Sequence, residues 1–250
     1  MKYTVLTLFP EICDAYFSSS IMAKALARGI IEYRAVNIRD YALDKHKSCD
    51  DAPYGGGPGM LMLPEPLGRA LDAVLSGKAG KQRVIYLSPS GRTFNQTLAR
   101  ELVKEEELIL LCGRYEGIDQ RIIDSYVDDD ISVGDYVLSS GELAALILID
   151  STYRLVEQVI TPASLEEESF DRGLLEYPQY TRPEIYATVR VPEVLLSGHH
   201  EKIRRWRLEK SVEKTLALRP DLIQKGTFGL HNDEVLKIIE EKRDERNQGN

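Results

Sequence analysis

Short apolar runs recur along the first 150 residues, and each leads into a polar, glycine-bearing loop and then a helical stretch. "YTVLTLF", "RVIYL", "ELILL" and "DISVG" read as buried strands, and "IIEYRAVNI" alternates like a further strand. Between them, "SSSIMAKALARG" predicts a helix with a serine N-cap and Gly29 as its stop. Pro64 and Pro66 open another helix, with Leu67, Leu71 and Val74 on one face. Helices also follow from about Gln96, over "IDQRIIDSY", and from Glu142 to about Leu155. Strand, loop and helix repeated in this order mean parallel strands joined by crossover helices, an α/β layered domain.

The pattern dissolves between Val156 and Tyr180. Beyond it the chain reads as helical, from about His199 to Arg219 and Asp233 to Arg246, with only a doubtful strand in "ATVRV". A chain of 250 residues accommodates this change of class as two domains. The expected division is an α/β domain over 1–158, a linker over 159–180 and a small, mainly helical domain over 181–250.

The longest apolar run, "LAALILI", is far short of a membrane span, and the N-terminus lacks the features of a signal peptide. Cys13, Cys49 and Cys112 are odd in number and lack C-x-x-C spacing, which fits reduced thiols in the cytoplasm. The four histidines form no plausible metal set, because His199 and His200 are adjacent and a helix would point them about 100° apart.

Three loops follow strand ends: "LSPSGRTF" (87–94), "CGRYEGID" (112–119) and "ISVGDYVLSSGE" (131–142). Open α/β sheets bind ligands outside the carboxyl ends of their strands. None of the loops carries the lysine or acid set of a nucleoside triphosphate site. They suit a neutral or zwitterionic nucleoside held by backbone groups in an apolar pocket. The segment "DDAPYGGGPGM" (50–60) is not a Walker loop, since Met60 and Leu61 follow Gly59 and no lysine comes before Lys78. Nor does a strand precede it, as a dinucleotide fingerprint requires. On its residues alone it is either a ligand-facing loop or a cluster of turns.

A net charge of −8 argues against general coating by nucleic acid. The acids concentrate in "KEEEL", "VDDDI" and "LEEESF", whereas His199–Arg219 holds seven Lys or Arg against three Glu. That helix can bind a polyanion locally, or be a solvated face whose charges pair along the helix.

In order and spacing, "LFPE", "DDAPYGGGPGM", "SPSGRTF", "CGRYEGIDQR", "SVGDYVLSSGE", "GLLEYPQYTRPE" and "LLSGHHEKIRRWR" resemble the bacterial tRNA (guanine-N1)-methyltransferase family. The resemblance runs from about residue 1 to 220. It implies a SPOUT-type sheet whose loops form a deep trefoil knot, although threaded chains are nearly absent from proteins. It also implies methyl transfer from S-adenosylmethionine to the guanosine just 3′ of the anticodon, a homodimer with the site between subunits, a tRNA partner and assistance from magnesium. By the same resemblance, Leu87, Ser88 and Pro89 match the first cofactor loop. Gly113, Tyr115, Glu116 and Gly117 match the second, and Val133, Gly134, Asp135, Tyr136, Val137, Leu138 and Gly141 the third. Asp50 and Gly59 would lie over the target guanine. Lys202, Arg204, Arg205 and Arg207 would meet the RNA.

Arg154 matches the family's catalytic arginine and Glu168 its carboxylate, with Glu167 and Asp171 as rival bases. The chain departs from the family at Glu168, where Asp is usual, and at Ser140, Ala144 and Gln179, where Gly, Pro and His are usual. The implied chemistry is removal of the N1 proton by Glu168 and stabilisation of charge on O6 by Arg154. A SPOUT methyltransferase with another RNA target and a tRNA-binding protein without activity are the alternative readings.

Overall fold

The structure, a computed structural model, describes residues 1–77, 80, 82–161, 168–170, 173–226, 228 and 232–248. Its chain divides into two compact units, Met1–Ile160 and Thr161–Asn250. The expected linker therefore belongs almost wholly to the second unit, and its residues 162–167 and 171–172 lie outside those described.

In chain order, the first unit begins with β1 (Lys2–Thr7), α1 (Pro10–Phe17), α2 (Ser20–Ala27) and β2 (Glu32–Asn37). A 3₁₀ turn (Ile38–Tyr41), the short strands β3 (Asp50–Asp51) and β4 (Leu61–Met62), and α3 (Pro64–Leu75) follow. Then come β5 (Gln82–Thr93), α4 (Gln96–Leu102), β6 (Glu107–Leu111), α5 (Gln120–Tyr126), β7 (Asp129–Ser132) and α6 (Gly141–Tyr153). Five of the strands form one parallel sheet in the order β2-β1-β6-β5-β7.

Parallel sheets are covered on both faces, so their inner strands read as unbroken apolar runs. "ELILL" is the central strand and is buried throughout. Its side chains alternate between two cores. Leu108 and Leu110 pack with Cys13, Phe17, Met22, Leu98, Leu148 and Ile149 from α1, α2, α4 and α6. Ile109 and Leu111 pack with Leu67, Leu71, Val74 and Ile122 from α3 and α5. The face predicted for α3 is thus the buried one, each large side chain contributing roughly 1.5–3 kcal/mol. Two pairs of polar groups meet inside the layers: Thr4 Oγ1 donates to Glu107 Oε1 at 2.6 Å, and Tyr3 and Thr152 share a hydrogen bond of 3.0 Å.

Three sequence expectations change. Helix α1 is not visible in the apolar spacing, because only Cys13 and Phe17 of its eight residues are buried. Ser19 stands at the N-cap of α2 but makes no capping bond; its hydroxyl turns back to the carbonyls of Ala15 and Tyr16 in α1. The expected loop Leu87–Phe94 is mostly strand. Leu87 and Arg92 both stand opposite Ile131, so residues 88–91 leave the ladder and Arg92 and Thr93 re-enter it.

The second unit contains a two-stranded hairpin, β8 (Ile185–Tyr186) with β9 (Val189–Arg190), then α7 (Glu193–Leu196), α8 (His200–Leu218), α9 (Pro220–Lys225) and α10 (Asn232–Gln248). The doubtful strand in "ATVRV" is β9. Leu174, Val212, Ile223, Phe228, Val235, Ile238 and Ile239 form a separate core there.

Candidate active site

The three strand-end loops line one pocket in the first unit. Leu87, Ser88 and Pro89 come from β5, and Gly113, Tyr115, Glu116 and Gly117 from the turn after β6. Val133, Gly134, Tyr136, Val137, Leu138 and Gly141 come from the segment between β7 and α6. Asp135, grouped with them from sequence, is not on the lining. Tyr86, Arg114, Ile131, Ser132, Ser139, Ser140 and Ala144 also line the pocket. Tyr86 and Ile131 could have been found from their places near the ends of apolar strands. Arg114 lies within the expected loop 112–119 but was not singled out there; its guanidinium lies 4.5 Å from the centre of the Phe9 ring, which fixes it beside the pocket.

Close packing of the second and third loops explains their glycines. Gly141 N–H donates to the Gly113 carbonyl at 2.9 Å. A Cβ at residue 141 would meet Cys112 Cα at 2.8 Å, so only hydrogen fits there. At Gly134 φ is +148°, a conformation that side chains rarely adopt. Tyr115, with φ 57°, is held in the left-handed region despite its side chain.

The glycine-rich segment docks on the second loop. Strands β3 and β4 pair at its ends. Glu116 N–H donates to Met60 O, and Met62 N–H to Gly117 O, each at 3.0 Å. Gly59 faces the Glu116 side chain so closely that a Cβ would stand 2.5 Å from its carboxylate oxygen. Asp50 and Arg39 lie beside the Tyr115 hydroxyl. Burial first, then the charge and hydrogen bond of Asp50, raise the pKa of this tyrosine, and Arg39 opposes them. Asp50 and Gly59 are thus brought beside Tyr115 and Glu116 without a phosphate-type loop.

All three cysteines are free and buried, Cys13 and Cys112 in one core of the first unit and Cys49 in the other. Burial, reinforced by the negative charges of Glu142 and Asp14, pushes Cys13 up to about 12. Burial, Glu142 and Cys13 also raise Cys112. Such thiols are poor nucleophiles. Iodoacetamide at pH 8 should therefore label none of them in the native protein and all three in urea; native labelling of Cys112 would contradict this placement. The raised values also set a pH dependence. Above about pH 9 the unfolded chain releases thiol protons that the folded chain keeps. The stability that Cys13 contributes below that pH should fall toward pH 12 by roughly 1.4 kcal/mol per pH unit, as denaturant titrations would show.

Arg154 closes the C-terminus of α6 in helical conformation and is half-buried. Glu168 lies in the second unit and is also half-buried. The turn after it is tied by Glu176 N–H to Ser169 Oγ at 3.0 Å and by Phe170 N–H to Leu174 O at 2.8 Å. The rival bases Glu167 and Asp171 lie outside the described residues.

On α8, Arg204 pairs with Glu201 at 2.8 Å and Glu234 at 2.9 Å, and Arg205 with Glu209 at 2.8 Å. The Arg207 guanidinium lies over the Tyr177 ring at 4.9 Å. Lys202 is exposed and, among the described residues, takes part in no ion pair.

No helix among the described residues is long and apolar enough to cross a membrane. A family model described as tRNA (guanine-1)-methyltransferase TrmD matches residues 1–225. A tRNA (guanine-N(1)-)-methyltransferase from Treponema denticola is 62% identical over 246 residues, covering 98% of this chain and 100% of that protein. The protein of the same name from Treponema pallidum is 62% identical over 223 residues, 89% of this chain and 88% of its own. That from Borreliella burgdorferi is 58% identical over 227 residues, 90% of this chain and 94% of its own.

Proposed function

The chain belongs to the tRNA (guanine-1)-methyltransferase family, and from that premise we propose that it methylates N1 of the guanosine immediately 3′ of the tRNA anticodon. The observation that carries this reading is the joining of two features in one place. A pocket built by three strand-end loops is hydrogen-bonded directly to the segment carrying Asp50 and Gly59.

The residues present suit S-adenosylmethionine. Leu87, Ile131, Val133, Leu138 and Ala144 offer apolar surface, while the backbone at Gly113, Gly117, Gly134 and Gly141 can approach closely. When bound, the cofactor supplies a methyl group on a sulfonium, which needs no Lewis acid to leave. Glu168 takes the proton from guanine N1, and Arg154 balances the charge that grows on O6. Asp50, held with Arg39 and Tyr115, orients the base from the cofactor side. Magnesium assistance rests on the family resemblance; among the described residues no group of three His, Cys, Asp or Glu is placed to hold an ion.

The contact of Gly141 N–H with Gly113 O supports a third loop drawn against the second, as in a trefoil knot. A homodimer is supported by α6, which is apolar around its circumference: Ala144, Ala145, Leu148 and Ile149 are buried, and Leu143 and Ile147 are exposed. A second copy covering that outer face would bury them.

Methyl-labelled cofactor with tRNA bearing guanosine or adenosine beside the anticodon tests the reading. Transfer to the first alone supports it. Transfer to both indicates another target, and transfer to neither a binding protein. In binding assays, Lys202→Gln should flatten the slope of log affinity against log salt by about 0.7–0.9 per lost phosphate contact, with cofactor affinity unchanged. Arg204→Gln should lower the melting temperature as well, because it breaks the bridge between α8 and α10. An unaltered salt slope in both would place α8 away from the RNA.

A further inference from the structure

The acids concentrated in "VDDDI" lead into β7, and each aspartate anchors β5. Asp128 accepts from Val84 N–H at 2.8 Å. Asp129 binds Arg83, and Arg92 at 3.0 Å. Asp130 reaches into the excursion of residues 88–91, which forms one wall of the pocket through Ser88 and Pro89. Resting on the cofactor reading above, we infer that Asp130 is a positioning residue for S-adenosylmethionine: its carboxylate fixes Ser88 and Ser90 and thereby the shape of this wall.

The hydrogen-bond inventory closes on this carboxylate. Each hydroxyl has one proton to give. Ser88 Oγ donates to Asp130 Oδ1 at 2.7 Å, with Oδ2 at 2.9 Å, and Ser90 Oγ lies 3.0 Å from Oδ2 and 2.8 Å from Ser88 Oγ, so that with Ser88 giving its proton to Oδ1 the Ser90 proton goes to Oδ2 or to the Ser88 oxygen. The Ser88 oxygen then accepts from Ser90 N–H at 3.2 Å. Gly91 completes the clasp, its backbone lying so close that a Cβ would stand 2.4 Å from the Asp130 carbonyl carbon. These bonds tie the four residues outside the ladder to the start of β7. The Ser88 bond is to a charged acceptor, the stronger class. Asp130 does not line the pocket itself and acts through the serines.

Calorimetric titration of S-adenosylmethionine and S-adenosylhomocysteine into wild type, Asp130→Ala and Asp130→Asn tests the inference, alongside kcat and KM for methyl transfer. Asp130→Ala should weaken both ligands about 10-fold and raise the cofactor KM alike, with kcat changed less than about 2-fold and the tRNA KM unmoved. Asp130→Asn keeps the shape and one acceptor oxygen and should recover part of the affinity; it also serves if the alanine variant does not fold. Ser90→Ala added to Asp130→Ala should cost little more, since the two act through one bond. Cofactor affinity within about 2-fold of wild type in both Asp130 variants would overturn the inference. So would equal losses in cofactor affinity, tRNA affinity and melting temperature, which mark a general structural role. A wild-type protein that binds neither ligand would overturn the cofactor reading itself.

Discussion

Glu168→Gln is expected to lower kcat by about 100-fold or more while leaving cofactor affinity nearly unchanged. The amide keeps the size and hydrogen bonding of the carboxyl but cannot accept the N1 proton, and guanine N1 is a poor nucleophile while protonated. Cofactor affinity should hold because the pocket is built wholly within the first unit, and Glu168 belongs to the second. Glu168→Asp should retain more activity than Glu168→Gln, since it keeps the carboxylate and loses only reach. Aspartate is also the residue the family usually carries. If Glu167 or Asp171 is the base instead, both Glu168 variants should turn over near the wild-type rate. Single-turnover methylation separates these outcomes, because it isolates the chemical step from product release.

Gly141→Ala is expected to lower kcat/KM for the cofactor by about 100-fold. The new methyl would stand 2.8 Å from Cys112 Cα and 2.9 Å from Gly113 N, and these are backbone atoms with no rotamer to yield. Relief requires the third loop to move off the second, breaking the bond from Gly141 N–H to Gly113 O and shifting two walls of the pocket together. The strain should also destabilise the fold by roughly 1–3 kcal/mol. Titration with S-adenosylhomocysteine and a thermal melt measure the two effects separately. Wild-type cofactor affinity in Gly141→Ala would mean that the contact between the loops does not shape the site.

The sheet was legible because its strands are short apolar runs between glycine-bearing loops, and α3 because Leu67, Leu71 and Val74 repeat at helical spacing. The pocket was legible because close backbone contact demands glycine at positions such as 134 and 141, and glycine leaves a visible mark. What sequence did not disclose depends on partners far along the chain. Arg114 is placed by Phe9, and Arg204 is engaged by Glu234, neither near its partner in sequence. The excursion at 88–91 looked like a plain loop because strand re-entry at Arg92 is set by Ile131 and Asp129 on β7. Ser19 looked like a cap, but α1 sits close enough to take its hydroxyl. The assignment of Glu168 and Arg154 came from family resemblance rather than from any local pattern.

The most direct test of the account is to locate the methyl group. After single-turnover reaction of the wild-type protein with a tRNA carrying guanosine 3′ of the anticodon, ribonuclease digestion and mass spectrometry of the fragments would place the modification. The expected result is N1-methylguanosine in the fragment that contains this nucleotide and in no other, with the signal lost in Glu168→Gln at the same reaction time. Methylation at any other nucleotide, or an undiminished signal at this one in Glu168→Gln, would contradict the account.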